Sequence, residues 1–414
     1  MKEICPDLEM ERGTKEMAWI LSQRELSPDQ KKAVELPLEQ NQLIIGPPGS
    51  GKTQILVHRA YYLCKKYAAQ TPDFRIFVFT NSLKKYIKDG IDWMGLPEKK
   101  VMTFDSWCRE YHTQHISASL PRGDSKYDEI RQAVLNHTKT MRLPLYDFVM
   151  VDEGQDLNEE CFEILRHISR HVTVCCDNRQ QLYSGGADQN SIMQKLQIGA
   201  ANVSLLKGFR CSPYIVTLAK EFITDSKQRT NFGRELNVAE TERQTPLLYY
   251  ASDIADEQNR LYEIIQERLL QNEKMGALFP TNAKAHSWAK HMVSKGLSVE
   301  NPDTIDFASA QPKFMTYHSA KGLSFDSIFL PGLTTGSFSG PGASGKVNNL
   351  LFVGITRARK WAYLSTRGNN YLDCLKNFQS LADREELTIQ RYGTIIRSSN
   401  TGVQQTNGNF EFDL

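Results

Sequence analysis

The segment Gly46-Pro47-Pro48-Gly49-Ser50-Gly51-Lys52-Thr53 constrains this chain more than any other. It follows the apolar run Gln42 to Ile45 and opens a helical pattern, the strand–loop–helix context that a phosphate-binding loop requires. Glycines let the backbone wrap an anion so that N–H groups and the helix N-terminus face it. Lys52 then lies against the β- and γ-phosphates of a nucleoside triphosphate, and the Thr53 hydroxyl ligates Mg2+. A glycine-rich structural turn is the plain alternative, and the full G-x-x-x-x-G-K-T match in context outweighs it.

A second anchor is Tyr146 to Asp156, a hydrophobic strand that ends in the carboxylates Asp152 and Glu153. Such a strand puts Asp152 near Thr53 and the metal. Glu153 is then placed to orient or deprotonate a water that attacks the γ-phosphate, so the expected reaction is hydrolysis. A solvated acidic turn is the competing reading, weakened by the phosphate-binding loop upstream.

Elsewhere short β-type runs alternate with helical stretches, which predicts an α/β architecture with parallel sheets. Gln42 to Ile45, Phe74 to Phe79, Phe148 to Val151 and Val172 to Cys176 read as buried strands. A second series comprises Leu247 to Tyr250, Gly276 to Phe279, Ser327 to Leu330 and Trp361 to Ser365. Between Asp253 and Asn272 the residues Ile254, Leu261, Ile264, Ile265, Leu269 and Leu270 form a helical stripe. Thr334 to Lys346, rich in Gly and Ser, reads as an exposed loop, and the chain from Ser398 onward as a flexible tail.

The length of 414 residues is a soft prior for roughly two to three domains. A composition of 40% hydrophobic and 24% charged residues is that of a globular protein, which excludes a disordered or fibrous chain. No apolar run approaches the ~18–20 residues that span a bilayer, so no membrane partner is expected. The start, Met1 to Asp7, is too polar and acidic for a signal peptide. Eight cysteines without a CxxC pair read as reduced thiols of a cytoplasmic protein. Net charge is only +2, so any polyanion must be held in a local groove. Cys108, His112 and His115 fall on one helix face, but no CxxC or HxxxH pair supports zinc there.

The words Asp152-Glu153-Gly154-Gln155-Asp156 resemble motif II of the UvrD/Rep group of superfamily-one DNA helicases, and further matches follow in the family's order. Leu26 to Gln30 is similar to its Q motif, in which Gln30 reads the adenine edge. Phe79-Thr80-Asn81-Ser82 and Thr103-Phe104-Asp105-Ser106-Trp107 are similar to its two DNA-contacting motifs in the first domain. Asp177 to Tyr183 resembles motif III, with Gln180 as the γ-phosphate sensor. Lys207 to Ser212 resembles motif IV, where Phe209 stacks on the base and Arg210 reaches the γ-phosphate. Met315 to Phe325 matches motif V, and Val353 to Arg359 matches motif VI, with Arg357 as the second arginine finger.

The resemblance implies two RecA-like P-loop domains with parallel sheets, at 1–205 and 206–395, ahead of a tail at 396–414. It implies an ATP- and Mg2+-dependent motor that steps 3′-to-5′ on single-stranded DNA by cycles of domain closure. Thr80, Asn81, Thr103, Thr316 and His318 fall to DNA contacts, and Phe79, Phe104 and Tyr183 to stacking or supporting bases. Core packing competes for each aromatic, and a satisfied strand-end hydrogen bond for Thr316 and His318. Lys84, Lys85 and Lys88 suit a DNA-phosphate rim or, equally, a solvated helix face.

The family's accessory insertions are reduced here. About 45 residues separate Trp107 from Asp152 and about 100 separate Arg210 from Thr316. Tyr183-Ser184-Gly185-Gly186, Gly208, Asp105 and Ser324 depart from the family pattern, leaving the hydrolytic residues intact while altering the DNA grip and the ribose contact. Compact members of this kind resemble motors of bacterial anti-phage or DNA-repair complexes. The rival reading is therefore a DNA- and ATP-binding switch subunit that works with a nuclease partner.

Overall fold

The computed structural model describes residues 20, 22–67, 72–123, 125–177, 186–206, 211–235, 244–339, 346–368 and 370–393. In the first half, strands β1 (Gln42–Ile45), β2 (Phe74–Val78), β3 (Val101–Thr103), β4 (Phe148–Val151), β5 (Val172–Cys176) and β6 (Val203–Leu205) form one sheet. Its order is β3-β2-β4-β5-β1-β6, and every pairing is parallel. Helices α1 (Pro28–Val34), α2 (Lys52–Lys66), α3 (Asn81–Trp93), α4 (Phe104–His115), α5 (Lys126–Thr138), α6 (Glu159–Ile168) and α7 (Gln189–Leu196) flank it. Covered on both faces, β4 carries continuous apolar side chains rather than alternating ones, and β5 is buried throughout, with Thr173 its one polar residue and Cys175 and Cys176 fully buried.

The second half repeats the scheme. Helices α8 (Pro213–Lys220) and α9 (Ser226–Glu235) precede β7 (Leu247–Ala251), and α10 (Ile254–Leu269) leads to β8 (Met275–Phe279). Then come α11 (Asn282–Ser294), β9 (Lys313–Thr316), β10 (Phe325–Leu330), α12 (Val347–Ile355), β11 (Ala358–Arg367), α13 (Gln379–Asp383) and β12 (Thr388–Arg391). The second sheet runs β12-β7-β11-β10-β8-β9, again all parallel. The protein is thus a two-domain α/β fold. Helix α8 belongs with the second sheet, because it packs on α12 and β11 and the Ser212 N–H donates to the Arg359 carbonyl.

Short polar side chains set the helix starts. Thr80, Thr103, Asn158, Asp188, Asp253 and Thr281 each accept a backbone N–H of the first turn of α3, α4, α6, α7, α10 and α11. Each satisfies one donor that the helix leaves unpaired. The stripe expected on α10 is only partly inward. Leu261, Ile264 and Ile265 are buried, whereas Ile254 and Leu270 lie at the two ends, beyond the core, and are exposed. The expected loop from Thr334 is a second correction. Residues Thr335–Phe338 form a 3-10 turn in which Thr334, Ser337 and Phe338 are buried, with Phe338 against Tyr317 at 5.9 Å between rings. Glycine and serine mark the turn, but a single aromatic anchors it inward. Residues 340–345 and the tail lie outside the described residues.

A buried polar strut holds the base of the first domain. Arg59 of α2, wholly buried, donates to the carbonyls of Val34 and Leu36 and to the Thr173 hydroxyl. His171 lies beside it, with Nδ1 3.1 Å from the Leu38 carbonyl and Nε2 2.8 Å from the Thr173 hydroxyl. A neutral ring with its proton on Nδ1 satisfies these contacts. Burial, and then the neighbouring Arg59, push His171 down to about 3. The unfolded chain takes up this proton near pH 6.5 and the folded chain refuses it, so stability is lost as pH falls below 6.5. The loss is about 1.4 kcal/mol per pH unit, or about 2 kcal/mol by pH 5. His171→Gln should flatten the decline of thermal stability between pH 7 and pH 5 by that amount. An unchanged slope would show that the folded protein protonates His171.

Candidate nucleotide site between the two domains

The loop after β1 and the carboxylates after β4 emerge on either side of β5, at the same end of the sheet. Thr53 Oγ1 consequently donates to Asp152 Oδ2 at 2.7 Å. Lys52, almost fully buried, donates to the carbonyls of Gly46 at 2.9 Å and Pro47 at 3.3 Å, so its ammonium sits inside the curl of its own loop. The curl admits no side chain at its glycines. A Cβ on Gly46 would stand 2.3 Å from Ser50 Oγ, and Gly51, at φ +84°, would meet Gln30 Nε2 at 2.3 Å.

Gln30 links helix α1 to this loop. Its Oε1 accepts the Ser27 N–H at 2.9 Å in a reciprocal cap, while Nε2 donates to the Ser50 carbonyl at 2.9 Å. The side chain expected to read adenine is therefore buried against Gly51 with its carbonyl and one amide hydrogen already engaged.

Glu153 adopts a left-handed backbone, φ 54°, which turns its carboxylate out of line with β4. Non-glycine residues rarely hold this conformation, and sites where surrounding structure enforces it are often functional. Gln155 Nε2 donates to Glu153 Oε2 at 2.5 Å, and Gln155 Oε1 accepts the Asp177 N–H at 3.0 Å. From the second domain, Lys321 Nζ reaches Asp156 Oδ2 at 2.5 Å and Glu153 Oε2 at 3.9 Å. Lys321 is fully buried, so this is an ion pair across the domain interface in low dielectric.

The two adjacent carboxylates titrate in opposite directions. Burial and then the charge of Glu153 raise Asp152 to about 6, against the pull of Thr53 and Lys52. Burial also works to raise Glu153, but Lys321, Lys52, Arg357 and the Gln155 hydrogen bond outweigh it and hold the carboxyl below its usual range. Glu153 is therefore ionised at neutral pH, as a proton acceptor must be. Asp152 gains most from a cation beside it.

Arg357 closes the other wall. It is buried just ahead of β11, with Nε donating to the Val353 carbonyl at 3.0 Å and Nη1 to the Leu323 carbonyl at 3.2 Å. Burial lowers its affinity for the proton, and Glu153 leads the opposing charges. A cleft lined by Gly49, Lys52, Thr53 and Glu153 on one side and by Ser324 and Arg357 on the other runs between the domains.

The residues present fit a magnesium nucleotide. The loop is a backbone cradle that a Cβ would fill, and the Ser50 hydroxyl is buried inside it without a hydrogen-bond partner. Thr53 and Asp152 offer hard oxygen donors of the kind Mg2+ takes from proteins. Lys321 and Asp156 were not singled out in the sequence. A lysine inside motif V facing a second acidic residue of motif II was the available signal.

The expected DNA contacts divide. Thr80 and Thr103 cap α3 and α4, and Asn81, exposed, begins α3. Thr316 Oγ1 accepts the Ser319 N–H at 3.1 Å, and His318 is partly buried beside Lys321 and Lys346, with burial first among the causes that lower its pKa. Phe79 is partly buried against the core of the first domain. Phe104 is a correction. It is 2% exposed and packs edge-on to Phe77 at 5.4 Å, so it supports the sheet and no base can stack on it. Lys85, though exposed, donates to the Ile305 carbonyl of the second domain, Tyr86 packs on Phe307 at 5.4 Å between rings, and Lys88 lies 3.9 Å from Glu98. Asp105 accepts Arg131 Nη2 at 2.6 Å and ties α4 to α5. Gln180, Tyr183, Phe209 and Arg210 lie outside the described residues.

Comparison with known proteins agrees with this arrangement. The family model for the UvrD/REP helicase N-terminal domain matches residues 26–141, and that for the UvrD-like helicase C-terminal domain matches residues 314–365. A probable DNA helicase of Mycoplasma pneumoniae is 21% identical over 265 residues, covering 59% of this chain and 48% of that protein. A probable DNA helicase II homolog of Mycoplasma capricolum is 21% identical over 387 residues, covering 68% of this chain and 53% of that protein. A putative ATP-dependent DNA helicase of Acanthamoeba polyphaga mimivirus is 20% identical, covering 82% and 53%. The chain thus spans about half the length of these curated relatives. The two family models match in order, one within each of the two sheets, so the chain is similar to UvrD/Rep-like helicases in both of its domains.

Proposed function

We propose that the chain hydrolyses ATP in the cleft between its two domains and couples each cycle to movement along single-stranded DNA. The observation that carries this reading is the charge arrangement across the interface. Lys321 and Arg357 of the second domain lie among the carboxylates that follow the phosphate-binding loop of the first. A reaction that changes the charge between them must change how the domains sit together.

In this reading Lys52 leaves the carbonyls of Gly46 and Pro47 for the phosphates. Glu153 accepts the proton of the attacking water while Gln155 fixes its orientation. Arg357 neutralises charge that develops on the transferred phosphoryl group. Thr53 and Asp152 would hold Mg2+, which would supply further charge neutralisation when bound. The strand is gripped by elements of both domains, through Thr80 and Asn81 at the start of α3 and Thr316 and His318 after β9.

The resemblance to UvrD/Rep helicases implies 3′-to-5′ movement, and the reading includes this polarity. Displacement of streptavidin from end-biotinylated single strands tests it. With ATP, displacement from the 5′ end should be at least about tenfold faster than from the 3′ end, equivalent to ~1.4 kcal/mol between the two barriers. Equal rates, or the reverse bias, would contradict it.

A further inference from the structure

Helix α3 of the first domain meets the second domain through three neighbouring side chains. Leu83 lies against the turn at Gly322, where an added Cβ would stand 3.0 Å from both Leu83 methyl carbons. Lys85 donates to the Ile305 carbonyl, and Tyr86 packs edge-on to Phe307. Ile305 is buried in an apolar core that continues from the first domain into the second, and Tyr86 and Phe307 are half-buried against it. Tyr86 also lines the interdomain cleft, and Gly322 directly follows Lys321.

Ile305 and Phe307 belong to the stretch 295–312, which joins α11 to β9 without a helix or strand of its own. Such stretches longer than about 12–15 residues are uncommon in compact domains and usually functional. This one is held in shape. Lys313, just after it, forms a buried ion pair with Glu300 at 2.8 Å and donates to the carbonyls of Ser309 at 3.0 Å and Gln311 at 2.8 Å. Glu300 also accepts the N–H of Asp306, the residue between Ile305 and Phe307, at 2.8 Å. A buried ion pair contributes little net stability. Here it fixes the backbone that presents Ile305 and Phe307 to α3.

We propose that Phe307, with Ile305, is a positioning residue for hydrolysis: the stretch latches onto α3 and holds Lys321 and Arg357 at the carboxylates of the first domain before a strand is bound. The latch rests on hydrolysis in the interdomain cleft, not on its coupling to DNA. Phe307 acts through Tyr86, which lines that cleft, and through α3. Because α3 begins at Thr80 and Asn81, a strand gripped there bears on the helix that the latch holds. Strand and latch therefore favour the same closed arrangement, and each makes the other less necessary.

The test uses the full chain and the variant Phe307→Ala. Without DNA, kcat for ATP hydrolysis should fall about fivefold, as a tenfold shift of a balanced open–closed equilibrium gives, the scale of one lost aromatic pair. KM for ATP should stay within about twofold, because the phosphate-binding loop lies wholly in the first domain. Saturating single-stranded DNA should bring kcat back to within about twofold of wild type. Phe307→Leu, which keeps an apolar contact, should recover most of the DNA-free rate. Tyr86→Ala combined with Phe307→Ala should lose no more than the larger single loss, since both remove one contact. Small-angle X-ray scattering of Phe307→Ala without DNA should show a larger radius of gyration than wild type. An unchanged DNA-free kcat or radius overturns the proposal, as does a loss of equal size with and without DNA in a chain that DNA stimulates. If wild-type hydrolysis ignores DNA, coupling to the strand fails, and the DNA-free rate and the scattering still decide the latch.

Discussion

Arg357→Ala should lower kcat for ATP hydrolysis by about 10³-fold or more, with ATP affinity changed less than about tenfold. The expectation rests on placement. The guanidinium is buried at the N-terminal end of β11, held by the carbonyls of Val353 and Leu323, and Glu153 leads the charges that keep it protonated. A cation fixed in this way costs no reorganisation when charge develops at the phosphoryl group, and it is worth most in a water-poor cleft. Because the same side chain satisfies two backbone carbonyls, thermal stability must be measured alongside. Arg357→Lys keeps the charge and loses the fork, and it should recover only part of the rate. Equal losses of kcat and ATP affinity in Arg357→Ala would assign the residue to ground-state binding.

Glu153→Gln should reduce turnover by about 10² to 10⁴-fold while ATP still binds, which would accumulate a closed, ATP-loaded form. The structure makes this a clean substitution. The carboxylate sits on a left-handed backbone that an isosteric amide preserves, and Lys321 retains Asp156 as its partner at 2.5 Å. What is lost is the basicity that Lys321, Lys52 and Arg357 have tuned. Turnover measured in a single-turnover quench is the relevant readout, and normal hydrolysis would show that another group takes the proton.

Much of this arrangement was legible because local chemistry and global fold agree. The runs Gln42 to Ile45, Phe148 to Val151 and Val172 to Cys176 are long, apolar and buried on both faces, and they form strands over those same residues. The strands that escaped notice are short or mixed. β3 and β6 have three residues each, β6 exposes Leu205, and β9 begins with a lysine that is buried because Glu300 lies 2.8 Å from it. Such strands are set by their neighbours in the sheet and not by their own pattern.

The site shows the same division. Lys52, Thr53, Asp152 and Glu153 fall together because strand ends in a parallel sheet bring loops to one edge. Phe104 could not be assigned from its motif alone, since an aromatic after a strand serves a core or a base equally well, and here Phe77 decides it. The Lys321 to Asp156 pair depends on how two domains dock across 165 residues of sequence separation, which no local pattern encodes. Asp105, a departure from the family pattern, is explained only once α5 places Arg131 beside it.

The central claim is that hydrolysis in the interdomain cleft is coupled to a DNA strand. Steady-state ATPase of the purified chain, with and without single-stranded DNA and beside Lys52→Ala, tests it most directly. The account predicts stimulation of at least about tenfold by the single strand, equivalent to ~1.4 kcal/mol off the barrier, and no activity in Lys52→Ala under either condition. Hydrolysis that is indifferent to DNA, or that survives loss of Lys52, would contradict it.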